Sequence, residues 1–121
     1  MAFIGDNACG AWVNINGQTN SERDSHNVNS VTYHAHGDYT INFESNTFSN
    51  ANYCTVLGAS SGHGRGPKIR TNNNNDTQTV STAFSAYSSS ACRVVLATYA
   101  GGSGYSISGS MGYMAAFFGD Q

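Results

Sequence analysis

Two histidines stand two residues apart in the segment "HAHGD", at His34 and His36. In an extended chain, residues i and i+2 lie on the same face, and imidazole is a ligand for iron, zinc and nickel. Around a threefold axis, such a pair would bring its imidazoles together on one axial metal. The segment also has the features of an exposed hairpin tip, where two solvated histidines need no ligand. We expect no metal and no cofactor. The alternative is that His34 and His36 form a metal site.

Two patterns in the sequence could indicate catalysis, and neither predicts an enzyme. The segment "GASSG" at residues 58–62 matches the G-x-S-x-G pattern of serine hydrolases, and His63 follows it. That pattern needs a strand, a sharp turn and a helix to expose the serine, and no helix is predicted after it. A glycoside hydrolase needs two carboxylates about 5–10 Å apart, and no spacing among the seven acidic residues singles out a pair. We predict that the chain is not an enzyme.

Basic residues gather in the segment "GHGRGPKIR", where Arg65, Lys68 and Arg70 are three of the five basic residues of the chain. A phosphate loop requires Gly-Lys-Ser/Thr at the start of a helix, and Pro67 interrupts that order. The segment "GHGRGPK" is therefore predicted to be a flexible surface loop. Its cationic side chains can contact an anionic sugar or an acidic protein surface, or remain solvated.

Loops rich in Gly, Ser, Asn and Tyr are the next candidates, because such loops carry adaptable binding chemistry. Binding residues commonly lie on loops that a rigid scaffold positions. The segments "TNNNND" and "GGSGYSISGS" are of this kind. The predicted ligand-binding residues are His63, Arg65, Lys68, Arg70, Asn73 and Tyr105.

The composition excludes several classes of protein. Charged residues make up 10% of the 121 residues and the formal charge is -2, so the basic surface that binds nucleic acid is missing. No apolar run approaches about 18 residues, and no membrane insertion is expected.

The start "MAFIGDNACG" lacks the pattern of a signal peptide, so we expect synthesis in a cytoplasm without Sec-type export. Three isolated cysteines predict no disulfide framework.

The amino-acid composition of the chain favours strands over helices. Asn, Ser and Gly disfavour helices, whereas Thr and Tyr suit a pleated sheet. We predict one domain over residues 1–121, with a short docking segment at 1–8. Its fold is an all-β antiparallel β-sandwich of about seven to nine short strands with long Gly/Ser/Asn-rich loops. The predicted strands are 12–16, 28–33, 39–43, 53–57, 68–71, 78–84, 93–99 and 114–118, and 93–99 is expected in the middle of a sheet.

The strands alternate large apolar residues with Asn, Thr or Ser. This pattern predicts sheets with one dry face and one wet, uncharged face. We assign Trp12, Tyr39 and Phe43 to the core. The wet face can stack against another copy of the chain or present amides and hydroxyls to a glycan.

Four segments, "ACGAWVNING", "SHNVNSVT", "GDYTINF" and "ANYCTVLGAS", follow one another in the chain. Their order and approximate spacing over residues 9–57 resemble a module common in bacteriophage tail-fibre proteins. The ending Phe118-Gly119-Asp120 also resembles the terminus of that module, whereas residues 58–70 and 101–112 do not align. The resemblance implies an all-β virion protein, often trimeric and usually near the end of a fibre. It transfers no catalytic residue.

We therefore expect a phage virion structural protein, a tail-fibre knob or tip for host attachment that binds a cell-surface glycan or protein. A homotrimer and contacts with other virion proteins are expected, since a small β domain with few large aliphatic residues buries limited apolar area alone. The alternative is a capsid decoration (cement) protein that binds other virion proteins and no receptor. Family members usually carry the module behind a long shaft, and here only about eight residues precede it.

Overall fold

A computed structural model describes residues 9–35, 38–59, 65–69, 88–98 and 112–120. These residues contain no helix, and they form an antiparallel β-sandwich, as predicted. The eight strands are β1 (Cys9–Asn16), β2 (Ser21–His26), β3 (Val28–Ala35), β4 (Asp38–Phe43), β5 (Cys54–Ala59), β6 (Arg65–Ile69), β7 (Ala91–Thr98) and β8 (Gly112–Phe118). This number lies within the predicted range.

The strands form two sheets of four. Sheet A has the order β2-β1-β8-β5, and sheet B has the order β3-β4-β7-β6. The neighbouring strands in both sheets pair antiparallel. The predicted central position of 93–99 is confirmed, because β7 lies between β4 and β6. Sheet A joins β1 to β8, so strands far apart in sequence together form its middle.

Asparagines at turns connect the two sheets. Asn27 lies between β2 and β3 with φ of 55°, a left-handed conformation that Asn tolerates better than most residues. Its Nδ2 donates a 2.7 Å hydrogen bond to the Gly10 carbonyl, and its own carbonyl accepts from the Glu44 backbone N–H at 2.9 Å. Asn20, also left-handed at 56°, accepts a 2.8 Å hydrogen bond from the Tyr39 hydroxyl. The side-chain amides of these asparagines thus stabilise turns and accept a hydrogen bond from a buried hydroxyl.

The core lies between the sheets and is rich in aromatic rings. Phe43 packs edge-to-face on Phe117, with ring centroids 4.8 Å apart, and on Tyr53 at 5.5 Å. Such pairs contribute about 0.5–1.5 kcal/mol beyond the burial of their area. Tyr39 and Phe43 are buried, which confirms the core assignment of both.

Trp12 lies on the outer face of sheet A, so its assignment to the core is wrong. Ala11, Val13 and Ile15 fill the inner face of β1, whereas Trp12 is 36% exposed. Successive residues of a strand point to opposite faces, and Trp12 therefore shares its face with Asn14. The smaller aliphatic residues form the core side of this strand.

Strand β2 has no counterpart among the strands predicted from the sequence. Its sequence "SERDSH" contains no apolar residue, and most of it is exposed. β2 pairs with β1 at the edge of sheet A, where charged side chains are typical because they discourage pairing with other chains. The predicted strand at 78–84 lies outside the described residues.

Candidate binding surfaces

The residues predicted to bind a ligand lie only partly in the described chain. Arg65 and Lys68 belong to the edge strand β6, in register with Thr98 and Val95 of β7. That part of the predicted loop is therefore a strand. His63, Arg70, Asn73 and Tyr105 lie outside the described residues, so the predicted site stays a prediction.

His34 ends up on the surface of sheet B. It is exposed near the end of β3, and its Nε2 lies 2.6 Å from the Thr40 Oγ1 on the neighbouring strand β4. His36 lies outside the described residues, so the histidine pair stays a prediction. Among the residues that the structure describes, no three His, Cys, Asp or Glu side chains group as metal ligands.

The outer face of sheet B is a surface of hydroxyls and amides. Asn42 on β4 donates from Nδ2 to the Ser30 Oγ at 3.1 Å and to the Thr32 Oγ1 at 2.9 Å, both on β3. These contacts hold the side chains in one arrangement. The side chains therefore lose less conformational entropy when a ligand binds. We call this surface the hydroxyl face; it consists of Ser30, Thr32, His34, Thr40 and Asn42.

An ion pair adjoins the hydroxyl face. Arg93 on β7 pairs in register with Thr40 and binds Asp38 through two hydrogen bonds of 3.0 Å, from Nε to Oδ1 and from Nη2 to Oδ2. Asp38 is 2% exposed. The bidentate geometry is the strong form of a charged hydrogen bond. This pair ties the start of β4 to β7.

The outer face of sheet A is largely apolar across β1, β8 and β5, although the alternating pattern predicted a wet face there. Trp12, Met114 and Val56 are 36%, 42% and 56% exposed. Trp12 and Val56 flank Ala116 from its two sides, and Asn14 and Gly58 flank Met114 in the same way. We call this surface the apolar strip; it consists of Trp12, Asn14, Val56, Gly58, Met114 and Ala116. A groove of about 440 Å³ runs along it.

A signal for this surface was present in the sequence. Strand β8 reads "GYMAAFF" and β5 reads "CTVLGA", and neither contains a charged residue. A strand whose two alternating sets are both apolar cannot have a wet face. Exposed apolar patches rimmed by polar residues are candidates for interaction with a protein, a membrane or a ligand.

The three cysteines are free thiols in different environments. Cys9 and Cys54 pair in register with Phe118 from opposite sides, so two strand spacings, about 9.6 Å, separate their backbones. A disulfide requires Cα atoms closer than about 7 Å. Burial raises the pKa of Cys92 from 9.0 to about 12, against a smaller lowering by a hydrogen bond with Tyr53.

Together these features define a β-sandwich domain with two outer faces of different chemistry. Comparison with known proteins finds no match to a family model, to a curated protein or to a solved structure. The resemblance to the tail-fibre module therefore stays a prediction from the residues. No helix long and apolar enough to cross a membrane occurs in the described part of the chain.

Proposed function

We propose that this protein is a structural module of a bacteriophage virion, of the tail-fibre knob or tip type. In this role it attaches the particle to the host by binding a cell-surface glycan or protein, and it has no enzymatic activity. The observation that carries the proposal is the contrast between its outer faces. One is apolar and suited to contact with protein, and the other presents uncharged hydrogen-bonding groups.

The segments that resemble the fibre module contribute to both faces. The segment "GDYTINF" contains β4 and supplies Thr40 and Asn42 to the hydroxyl face. The segment "ACGAWVNING" contains β1 and supplies Trp12 and Asn14 to the apolar strip. Some of the residues that carry the resemblance thus lie on the surface. A role in binding would explain why these residue types stand there.

The chemistry of the hydroxyl face favours a glycan as the ligand. Ser and Thr hydroxyls and the Asn amide both donate and accept hydrogen bonds, as sugar hydroxyls do. Asn42, Ser30 and Thr32 are already ordered by their mutual contacts. In the proposed virion the domain is a homotrimer in contact with other virion proteins, and a protein neighbour covers the apolar strip.

A binding assay on intact cells and on immobilised bacterial surface glycans tests this function. We expect saturable binding of the purified protein to host cells, and we expect the bound protein to block infection. Asn42→Ala should weaken binding at least tenfold, because it removes the group that orders Ser30 and Thr32. Gln18→Ala, in the exposed turn after β1, is the matched control and should bind as the wild type does.

Two outcomes would contradict attachment. One is the absence of cell and glycan binding together with affinity for empty phage heads, which would support the decoration protein instead. The other is electron microscopy of labelled particles that places the protein on the head. Host polysaccharide shortened after incubation would contradict the non-enzymatic role.

A further inference from the structure

We propose that a second copy of this chain covers the apolar strip, with its own strip packed face to face in the inverted orientation. The setting of a multi-subunit particle rests on the proposed function, whereas the contact itself is argued from the strip. Two properties of the strip point to a second copy, its shape and its charge, and its area sets the strength of the contact.

The strip has large and small residues in alternation. Its first row is Trp12, Ala116 and Val56, with the smallest side chain in the middle, and its second row is Asn14, Met114 and Gly58, with the largest in the middle. Met114 is therefore a knob and Ala116 lies in a hollow. Since both lie on β8, a copy turned over places its Met114 into the hollow at Ala116, between Trp12 and Val56. The surface is complementary to itself.

The charges around the strip are also compatible with a second copy. The six residues of the strip are uncharged, so identical copies approach without repulsion. The adjoining edge strand β2 carries Glu22, Arg23 and Asp24, and its Asp24 and His26 lie in register with Asn14 and Trp12. Because this rim contains both signs, the rim of one copy can pair with that of another.

The area sets the expected strength of the contact. Three strands at about 4.8 Å spacing and about four residues in length present roughly 190 Å². A stable complex buries about 800 Å² on each partner, so the strip and the adjoining polar rim on β2 form a small interface. An apolar core with a polar rim is the usual anatomy of an interface. We therefore expect an association that depends on concentration in the micromolar range.

Sedimentation velocity and light scattering on the full chain measure this association. The wild-type mass should rise from 12.8 kDa to about twice that value between about 5 and about 500 µM. Met114→Glu places a charge at the centre of the strip and should keep the chain at 12.8 kDa over this range. Ser30→Glu adds the same charge to the hydroxyl face and should associate like the wild type.

A second test uses Cys54, a native residue of the chain, as the reporter of the contact. Cys54 is exposed beside Phe118 on the same outer face as Val56. Its rate of alkylation in the wild type should fall at least fivefold as the protein concentration rises, while the rate in Met114→Glu stays constant. If Met114→Glu does not fold, as judged by circular dichroism, the wild-type alkylation series alone tests the contact.

A wild-type mass of 12.8 kDa at all concentrations, with constant Cys54 reactivity, would overturn the inference. Association that Ser30→Glu abolishes and Met114→Glu leaves intact would overturn it as well. Neither result affects binding to cells or glycans, so the failure of this contact and the failure of the proposed function are distinguishable. A mass of three chains would also overturn the inference, because contact of the strip with its own inverted copy closes at two chains, and the proposed homotrimer would then use a different surface.

Discussion

Arg93 binds Asp38 across 55 residues of sequence through two parallel hydrogen bonds of 3.0 Å each. The carboxylate is almost wholly buried, whereas about a third of the arginine side chain is exposed. A buried carboxylate needs its partner, because removal of one member of such a pair leaves an uncompensated charge. Removal of either member of the pair should therefore lower the stability more than substitution of the surrounding polar residues.

Arg93→Ala should lower the free energy of unfolding by about 2–3 kcal/mol, below the range for fully buried pairs because Arg93 reaches solvent. Arg93→Lys should lower it by about 1–2 kcal/mol, because lysine keeps the charge but cannot form the bidentate contact. Arg23→Ala on the exposed strand β2 is the control and should stay within about 0.5 kcal/mol of the wild type. Urea denaturation measures all three, and an unchanged midpoint for Arg93→Ala would contradict this role.

Trp12 and Ile15 lie on the same strand and face opposite sides of sheet A. Ile15→Ala should cost about 2–5 kcal/mol of stability, because Ile15 is fully buried and its loss leaves a cavity. Trp12→Ala should cost less, about 1–2 kcal/mol in the isolated subunit, because 36% of Trp12 remains exposed to water in the folded chain. Thermal unfolding at low protein concentration compares the two. A larger loss for Trp12→Ala would place the tryptophan in the core after all.

The cysteines should differ in reactivity and in their effect at high pH. Cys54 should react with a thiol reagent in the folded protein, and Cys92 only at the rate of unfolding. The thiol of Cys92 ionises near 9.0 in the unfolded chain, and its pKa is about 12 in the folded protein. The unfolded state therefore loses this proton first, and stability falls as the pH rises from 9.0 towards 12, by up to about 1.4 kcal/mol per pH unit.

A titration of unfolding free energy between these pH values checks the effect of Cys92. Cys92→Ala lowers the overall stability by removing buried atoms, but it should also reduce the slope with pH. The same slope in the variant and the wild type would mean that other groups cause the alkaline loss.

Gly119 and Gly58 offer a matched pair of glycine substitutions. A Cβ on Gly119 would lie 2.8 Å from the Tyr53 Cβ and 2.9 Å from its Cα, and Tyr53 is held by hydrogen bonds from its hydroxyl to the Ser88 and Ala91 carbonyls. Gly119→Ala should therefore destabilise the fold by about 1–3 kcal/mol, as overpacking does. A Cβ on Gly58 meets only the Met114 Cε at 3.9 Å.

Gly58→Ala should be neutral or stabilising by up to about 1 kcal/mol, because alanine restricts the unfolded chain. Chemical denaturation at low protein concentration compares the two variants. Equal effects of both would show that the approach of Gly119 to Tyr53 is not a tight contact in solution.

Parts of the candidate surfaces could be predicted from local pattern. Thr40 and Asn42 alternate with Tyr39, Ile41 and Phe43, so their outward position follows from the two-residue period of a strand. Local pattern indicates that β5 and β8 lack a wet face, but it does not show that their outer residues join Trp12 and Asn14 in one strip, since that depends on β8 lying between β1 and β5. That neighbourhood joins residues about a hundred positions apart, as in the register of Trp12 with Ala116, and no local pattern encodes it.

By itself, the sequence determined the all-β class and the approximate position of most strands in the described chain, because Thr, Tyr and alternating apolar residues favour extended backbone. It also determined the core role of Tyr39 and Phe43. Only the tertiary structure decided that Trp12 faces outward, that "SERDSH" is an edge strand and that Asp38 pairs with Arg93. The physical reason is that strand neighbours are chosen by long-range backbone pairing and by packing between the sheets, which also decides which alternating face is buried.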